Sequence, residues 1–226
     1  MSSSFDPADL GSIPDLPAGD WQPPAEPPRV PASDRGPTRQ ALARRRRLAM
    51  LAGLVWLAVL VVVLGLRHDL GLSWLVIGHA LAPAALGAAA LTAALSPGPR
   101  GLGPSAVTTV ALALGAPIVF AISSALFPHF DGGHDARSAF FCGDFGLLLG
   151  AVPLAALAWA QRNTCVTAAP WRSALIGVSM GLAGAAALGM HCANGDGLHV
   201  AIGHGWPVIV LGVAGFMLVG RVTRVR

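Results

Sequence analysis

Apolar residues in this chain gather into long blocks, nearly all of them after Leu48, with short polar breaks between. The blocks cover about 48–66, 72–95, 105–127, 143–160, 172–190 and 199–219. A helix needs roughly 20 mostly apolar residues to cross the hydrocarbon core of a bilayer. Each block is long enough once tilt is allowed. The pattern predicts an all-α integral membrane protein with six transmembrane helices. The connections are short, so successive helices should be antiparallel neighbours. Pro83, Pro117 and Pro153 fall inside blocks and should kink them, since neighbouring helices can satisfy the freed carbonyls. Gly177, Gly181, Ala185 and Gly189 recur at intervals of four in the fifth block, a small-residue face on which another helix backbone can approach closely.

Composition agrees with this reading. Of 226 residues, 54% are hydrophobic and 12% charged, with a mean hydropathy of +0.64. A soluble domain carries about twice that charge. The net charge of +4 comes from fifteen Arg, no Lys and eleven acids. The arginines sit beside apolar blocks, where they set orientation rather than bind nucleic acid. Arg44, Arg45, Arg46, Arg47, Arg100, Arg162, Arg172, Arg221, Arg224 and Arg226 fall on the N-terminal side of the six spans, and only Arg67 and Arg137 fall opposite. By the positive-inside rule both termini are expected in the cytoplasm, with Arg44 to Arg47 as topology anchors. The loops after spans one, three and five then face outward.

Residues 1–43 are expected to form a disordered, proline-rich, acidic cytoplasmic tail ahead of a six-span domain over 44–226. Half of the 18 prolines lie in the first forty residues, with no long apolar run. The start is acidic and lacks the order of a signal peptide. Asp6, Asp9, Asp15, Asp20 and Glu26 alternate with Phe5, Leu10, Ile13, Leu16 and Trp21. Such a segment is either a solvated tail or a linear motif whose apolar anchors fold onto a basic partner.

The outward loops hold most of the reactive chemistry. "FPHFDGGHDARSAFFCGD" (Phe127 to Asp144) carries His129, Asp131, His134, Asp135, Cys142 and Asp144. "MHCANGDGLH" (Met190 to His199) carries His191, Cys192, Asp196 and His199. Cys142 is expected to open span four and Cys192 to close span five, so both thiols reach similar depth and could meet across the helix seam. The third cysteine, Cys165, lies in the inward loop between spans four and five. Three readings of the pair stay open: a structural disulfide, a redox- or metal-responsive pair, and two unrelated buried thiols. Thiolate with imidazole suits zinc or copper, although no CxxC or HxxxH spacing is present. His79 in span two and His204 about one turn into span six are intramembrane polar groups, functional candidates by their position.

The stretches "GLRHDLG" (Gly65–Gly71), "FFCGDFGLLLGAVPLAALAWAQRN" (Phe140–Asn163) and "ALIGVSMGLAGAAALGMHCANGDGLHVAIGHGWPVIVLGVAGFMLVGR" (Ala174–Arg221) resemble the NrsF-type anti-sigma factors of bacterial inner membranes. The resemblance runs from about Arg44 to the C-terminus. Its most telling feature is a cysteine before span four together with "HC" at the end of span five, here Cys142 and His191-Cys192. The tail is longer and richer in proline than the family pattern. The resemblance implies a non-enzymatic membrane protein that sequesters an extracytoplasmic-function sigma factor. It implies release when the periplasm-facing pair binds metal or is oxidised. On that reading the sensing residues are Cys142, Cys192, His191, His134 and His199. The partner-binding residues in the tail are Phe5, Asp9, Leu10, Ile13, Leu16 and Trp21. No cofactor is required beyond a transient metal ion at the pair. The partners are the sigma factor and the lipid bilayer, with no direct nucleic-acid contact. Two alternatives belong to other classes: a membrane thiol-disulfide oxidoreductase, and a small transporter or metal-binding membrane protein.

Overall fold

The computed structural model describes residues 38–67, 74–96, 104–127, 135–162 and 169–219. Among the described residues it is all-helical, with six helices long and apolar enough to cross a membrane. They are α1 (Arg39–Leu64), α2 (Trp74–Leu95), α3 (Ala106–Leu126), α4 (Ala136–Ala160), α5 (Ala169–His191) and a composite sixth helix. The sixth is built from α6 (Gly197–His199), a π-helical turn (Val200–His204), α7 (Trp206–Ala214) and a second π-helical turn (Gly215–Val219). The tail residues named above, Phe5 to Trp21, and also His129, Asp131, His134 and Cys165, lie outside the described residues.

Capping sets the helix starts earlier than hydropathy does. Thr38 caps α1 by accepting from the Ala41 N–H at 3.2 Å, so the helix begins at Arg39 and carries Arg44 to Arg47 within it, not ahead of it. Asp135 caps α4 by accepting from the N–H groups of Arg137 (3.2 Å) and Ser138 (3.0 Å). A side-chain acceptor at the cap satisfies donors that the first turn leaves open. Span four therefore starts at Ala136 rather than at 143, and Cys142 lies in the second turn of α4 instead of opening it. Gly65 ends α1 with φ of +85°, a left-handed conformation that glycine adopts without a Cβ clash.

Large apolar side chains point outward. Val62, Val63, Val107, Leu126 and Leu54 are all exposed on the flanks of α1 and α3. α5 is the opposite case: 89% of its apolar window is buried inside the protein. It packs against every other spanning helix. Lipid tails are as apolar as leucine, so what selects the centre of such a bundle is close backbone approach. A Cβ on Gly177 would run into the Leu211 carbonyl oxygen, and one on Gly181 into the backbone of Val208. α7 thus lies directly on this face. Gly189, farther along, sits against His79 and Ala80 of α2, where a Cβ would be 3.1 Å from the His79 carbonyl oxygen. Pro83, Pro117 and Pro153 lie inside α2, α3 and α4. Pro153 is also where α1 meets α4, since a Cβ on Gly53 would be 2.8 Å from the Pro153 Cβ. Between α1 and α2 runs an apolar crevice of about 660 Å³, floored by Ser179, Met180, Ala183 and Ala187 of α5.

Gly177→Leu should lower stability by about 1–3 kcal/mol or more, because the neighbouring backbone must move. Gly115→Leu, whose Cβ meets nothing within 4 Å, should stay within about 0.5 kcal/mol of the parent. Thermal unfolding of both variants in detergent measures the contrast. Equal losses would show that the stripe does not set the packing.

A cysteine–histidine cluster at one end of the helix bundle

The site forms where α5 ends and the sixth helix begins. Helix termini leave carbonyls without intrahelical partners. Here they are met from α1's exit. Arg67, only 5% exposed, donates from Nη1 to the Cys192 carbonyl at 2.8 Å and from Nη2 to the Ala193 carbonyl at 3.3 Å. Its backbone N–H donates to the Met190 carbonyl at 3.0 Å. A guanidinium at a helix C-terminus also complements the helix dipole. His191 Nδ1 lies 2.8 Å from the Gly65 carbonyl oxygen, a second tie between the same two segments. Cys192 keeps one more helical bond, its N–H to the Leu188 carbonyl at 2.7 Å.

The polar residues that follow organise the turn. Asn194 Oδ1 accepts from the Asp196 N–H at 2.9 Å, and Asp196 Oδ1 accepts from the His199 N–H at 2.8 Å. Asp196 is the N-cap of α6, the use to which short side chains with an acceptor oxygen are suited. Gly197 lies against the end of α3, where a Cβ would be 2.9 Å from the Ser124 carbonyl oxygen. The next turn presses on α4, with a Gly203 Cβ position 2.7 Å from the Ala139 carbonyl oxygen. That contact fixes the π-helical turn against the stretch of α4 that carries Cys142.

Four donor groups converge as a result. The sulfurs of Cys142 and Cys192 are 3.7 Å apart and both residues are free thiols. His199 Nε2 is 3.5 Å from the Cys192 sulfur. The His199 and His204 rings pack edge to face, centroids 5.9 Å apart. One ligand atom from each of Cys142, Cys192, His199 and His204 lies within 4.8 Å of the other three. His199 and His204 are fully buried, Cys192 nearly so, and Cys142 half-buried. The hydrogen bond from Cys142 holds the Cys192 thiol below its ordinary range. Burial pushes it the other way, and His204 with the Asn194 backbone adds to the lowering. The Trp206 indole rests on Gly143, next in sequence to Cys142, where no Cβ intervenes.

The sequence-predicted residues divide between the cluster and the frame around it. Cys142, Cys192 and His199 come together. His204, read as an intramembrane polar group, joins them. His191 bonds backbone beside the cluster. His79 is half-buried in α2, and its residue backs onto Gly189 rather than reaching the cluster. Asp135 and Asp196 are helix caps, and Asp144 is exposed. Arg67, which entered the sequence reading only as one of two outward arginines, anchors the whole turn. Its position just after a helix-ending glycine was the available signal.

Arg67→Gln removes the guanidinium that meets two carbonyls and should cost about 1–3 kcal/mol. It should also speed maleimide labelling of Cys192 in detergent. Unchanged stability and labelling would mean that the turn is held by other contacts.

Comparison with known proteins places the chain. No curated protein and no solved structure matches it. A protein-family model, described as NrsF, negative regulator of sigma F, matches residues 32–224, nearly the whole helical domain together with the last residues of the tail. The chain belongs to the NrsF family.

Proposed function

We propose that the protein is a membrane-bound, non-enzymatic anti-sigma factor. It holds an extracytoplasmic-function sigma factor at the cytoplasmic face and releases it when the outward Cys142–Cys192 pair is oxidised or takes up a metal ion. The family description supports the regulatory class. Ten arginines against two support cytoplasmic termini in a bacterial inner membrane. The observation that carries the sensing half is that two thiols from different segments, α4 and the turn after α5, lie 3.7 Å apart.

Oxidation takes two electrons and two protons from the thiols and joins the sulfurs, the acceptor being a peroxide or a disulfide. Bonded sulfurs sit about 2.05 Å apart, so the two sulfurs, 3.7 Å apart here, must close by well over 1 Å, and side-chain rotation with helix movement supplies that closure. Packed helices do not deform continuously at such contacts; they shift between discrete arrangements. Because α5 touches all the other spans, a shift at its outward end reaches the inward loops and the tail. The acidic-apolar segment with Phe5, Asp9, Leu10, Ile13, Leu16 and Trp21 supplies the sigma-binding surface. A coupling of about 1–3 kcal/mol between the two faces suffices to change occupancy roughly 5- to 150-fold.

The test is a sigma-dependent reporter in cells co-expressing the protein with an extracytoplasmic-function sigma factor. Deleting residues 1–40 should raise reporter output, and Cys142→Ser or Cys192→Ser should leave it repressed under diamide. If removal of residues 1–40 and of every inward loop leaves sigma activity unchanged, sequestration by this protein is wrong.

A further inference from the structure

We propose that Cys142, Cys192, His199 and His204 together form a tetrahedral site for a Zn²⁺-type d¹⁰ cation. The two histidines are ligands in their own right rather than packing around a thiol pair. This deepens the reading of the cluster as a sensor and rests on that reading only for its role in the cell.

The spacing of the donors carries the inference. With Zn–S near 2.3 Å and Zn–N near 2.05 Å, tetrahedral geometry puts two sulfurs about 3.8 Å apart and sulfur and nitrogen about 3.6 Å apart. The sulfurs here are 3.7 Å apart, and Cys192 Sγ is 3.5 Å from His199 Nε2. All four donors lie within 4.8 Å of one another.

The second observation is the burial of the donors. His199 and His204 are 0% and 3% exposed. His199 turns Nε2, not its unpartnered Nδ1, toward the Cys192 sulfur, and a buried imidazole serves an ion through the nitrogen that faces the other donors.

The third is the backbone device that aligns the histidines. Residues five apart on an α-helix are about 140° out of register. In the π-helical turn Val200–His204 the repeat is longer, and residues five apart return to one face. The turn thereby places His204 above His199. π-turns of this kind interrupt helices most often at functional sites.

Charge also balances. Binding releases the two thiol protons to solvent, and two thiolates with two neutral imidazoles bring a divalent ion to net zero. A neutral centre is tolerated at this buried end of the bundle, where a bare cation or an unpaired thiolate is not. Mixed sulfur and imidazole donors in tetrahedral array select zinc-like ions over magnesium or calcium. The ion would clamp α4, the turn after α5 and the sixth helix at one point. Metal and disulfide would compete for the same two sulfurs, so a bound ion would guard the thiols against oxidation.

Co²⁺ is the probe, titrated into the purified, reduced full-length protein in detergent. One ion per chain should give tetrahedral ligand-field bands with a thiolate charge-transfer band, both lost on adding Zn²⁺. His199→Ala and His204→Ala should each weaken binding at least about tenfold, the smallest loss usual even for groups one shell farther out, while Asp144→Asn, at an exposed position of α4, binds as the parent does. His204→Cys should keep binding and strengthen the charge-transfer band, an outcome a purely structural histidine would not give. Zn²⁺ should slow formation of the Cys142–Cys192 disulfide. Octahedral spectra, parental affinity in both histidine-to-alanine variants, or unprotected thiols would overturn the site. No sigma factor enters this assay, so failure here leaves sequestration standing, and failure of the reporter experiment leaves the metal site standing.

Discussion

In a bilayer the apolar side chains that glue a soluble core gain little by turning inward. This protein exposes many of them, such as Val62, Val63 and Val107, while burying others, such as Leu149, Leu157 and Leu182. What binds its helices is the close approach of backbones over small residues. α5 provides that surface almost alone. Gly177 and Gly181 receive α7, and Gly189 receives α2. Every other spanning helix touches this one, while α1 rests mainly on α4 at Gly53 and Pro153. Leu175, Leu182 and Leu188 fill the rest of its buried surface, and a packed interior of this kind transmits strain. That property suits a helix whose C-terminal end carries the cysteine–histidine cluster.

The polar end follows from the packing. Placing α5 at the centre buries its C-terminus, and a buried C-terminus needs donors for its carbonyls. Arg67 supplies them from the segment that leaves α1. Asn194 and Asp196 then turn the chain back and start α6. These bonds hold the backbone and leave Cys192, His199 and His204 free to face Cys142. The polar residues of "MHCANGDGLH" therefore divide into a frame of His191, Asn194 and Asp196 and a working group of Cys192 and His199. Among the described residues, the frame is satisfied locally, whereas His199 and His204 each keep a buried nitrogen without a partner.

How much of this the sequence discloses depends on the range of the signal. The six helices are legible because block length and hydropathy are local properties, and the small-residue stripe because its period is that of a helix face. The meeting of Cys142 and Cys192 is legible as a possibility because one lies near the start of span four and the other near the end of span five. Hydropathy marks apolar spans rather than helix starts, and Thr38 and Asp135 cap helices that run on into polar sequence. His204 lies inside the sixth span, as its place in the apolar block predicts, and the π-helical turn brings it to His199. Arg67 was read for its charge alone. Its bonds join positions more than 120 residues apart, a separation at which one sequence carries no pairing signal.

The central claim is that Cys142 and Cys192 meet at the outward rim of the membrane, and crosslinking in intact cells tests it most directly. Cells would be treated with a membrane-impermeant thiol oxidant and the peptides analysed by mass spectrometry. The account expects a peptide pair joined through Cys142 and Cys192, formed without the oxidant entering the cytoplasm. Absence of that pair, with both thiols reacting only after the membrane is opened or only singly, would contradict it.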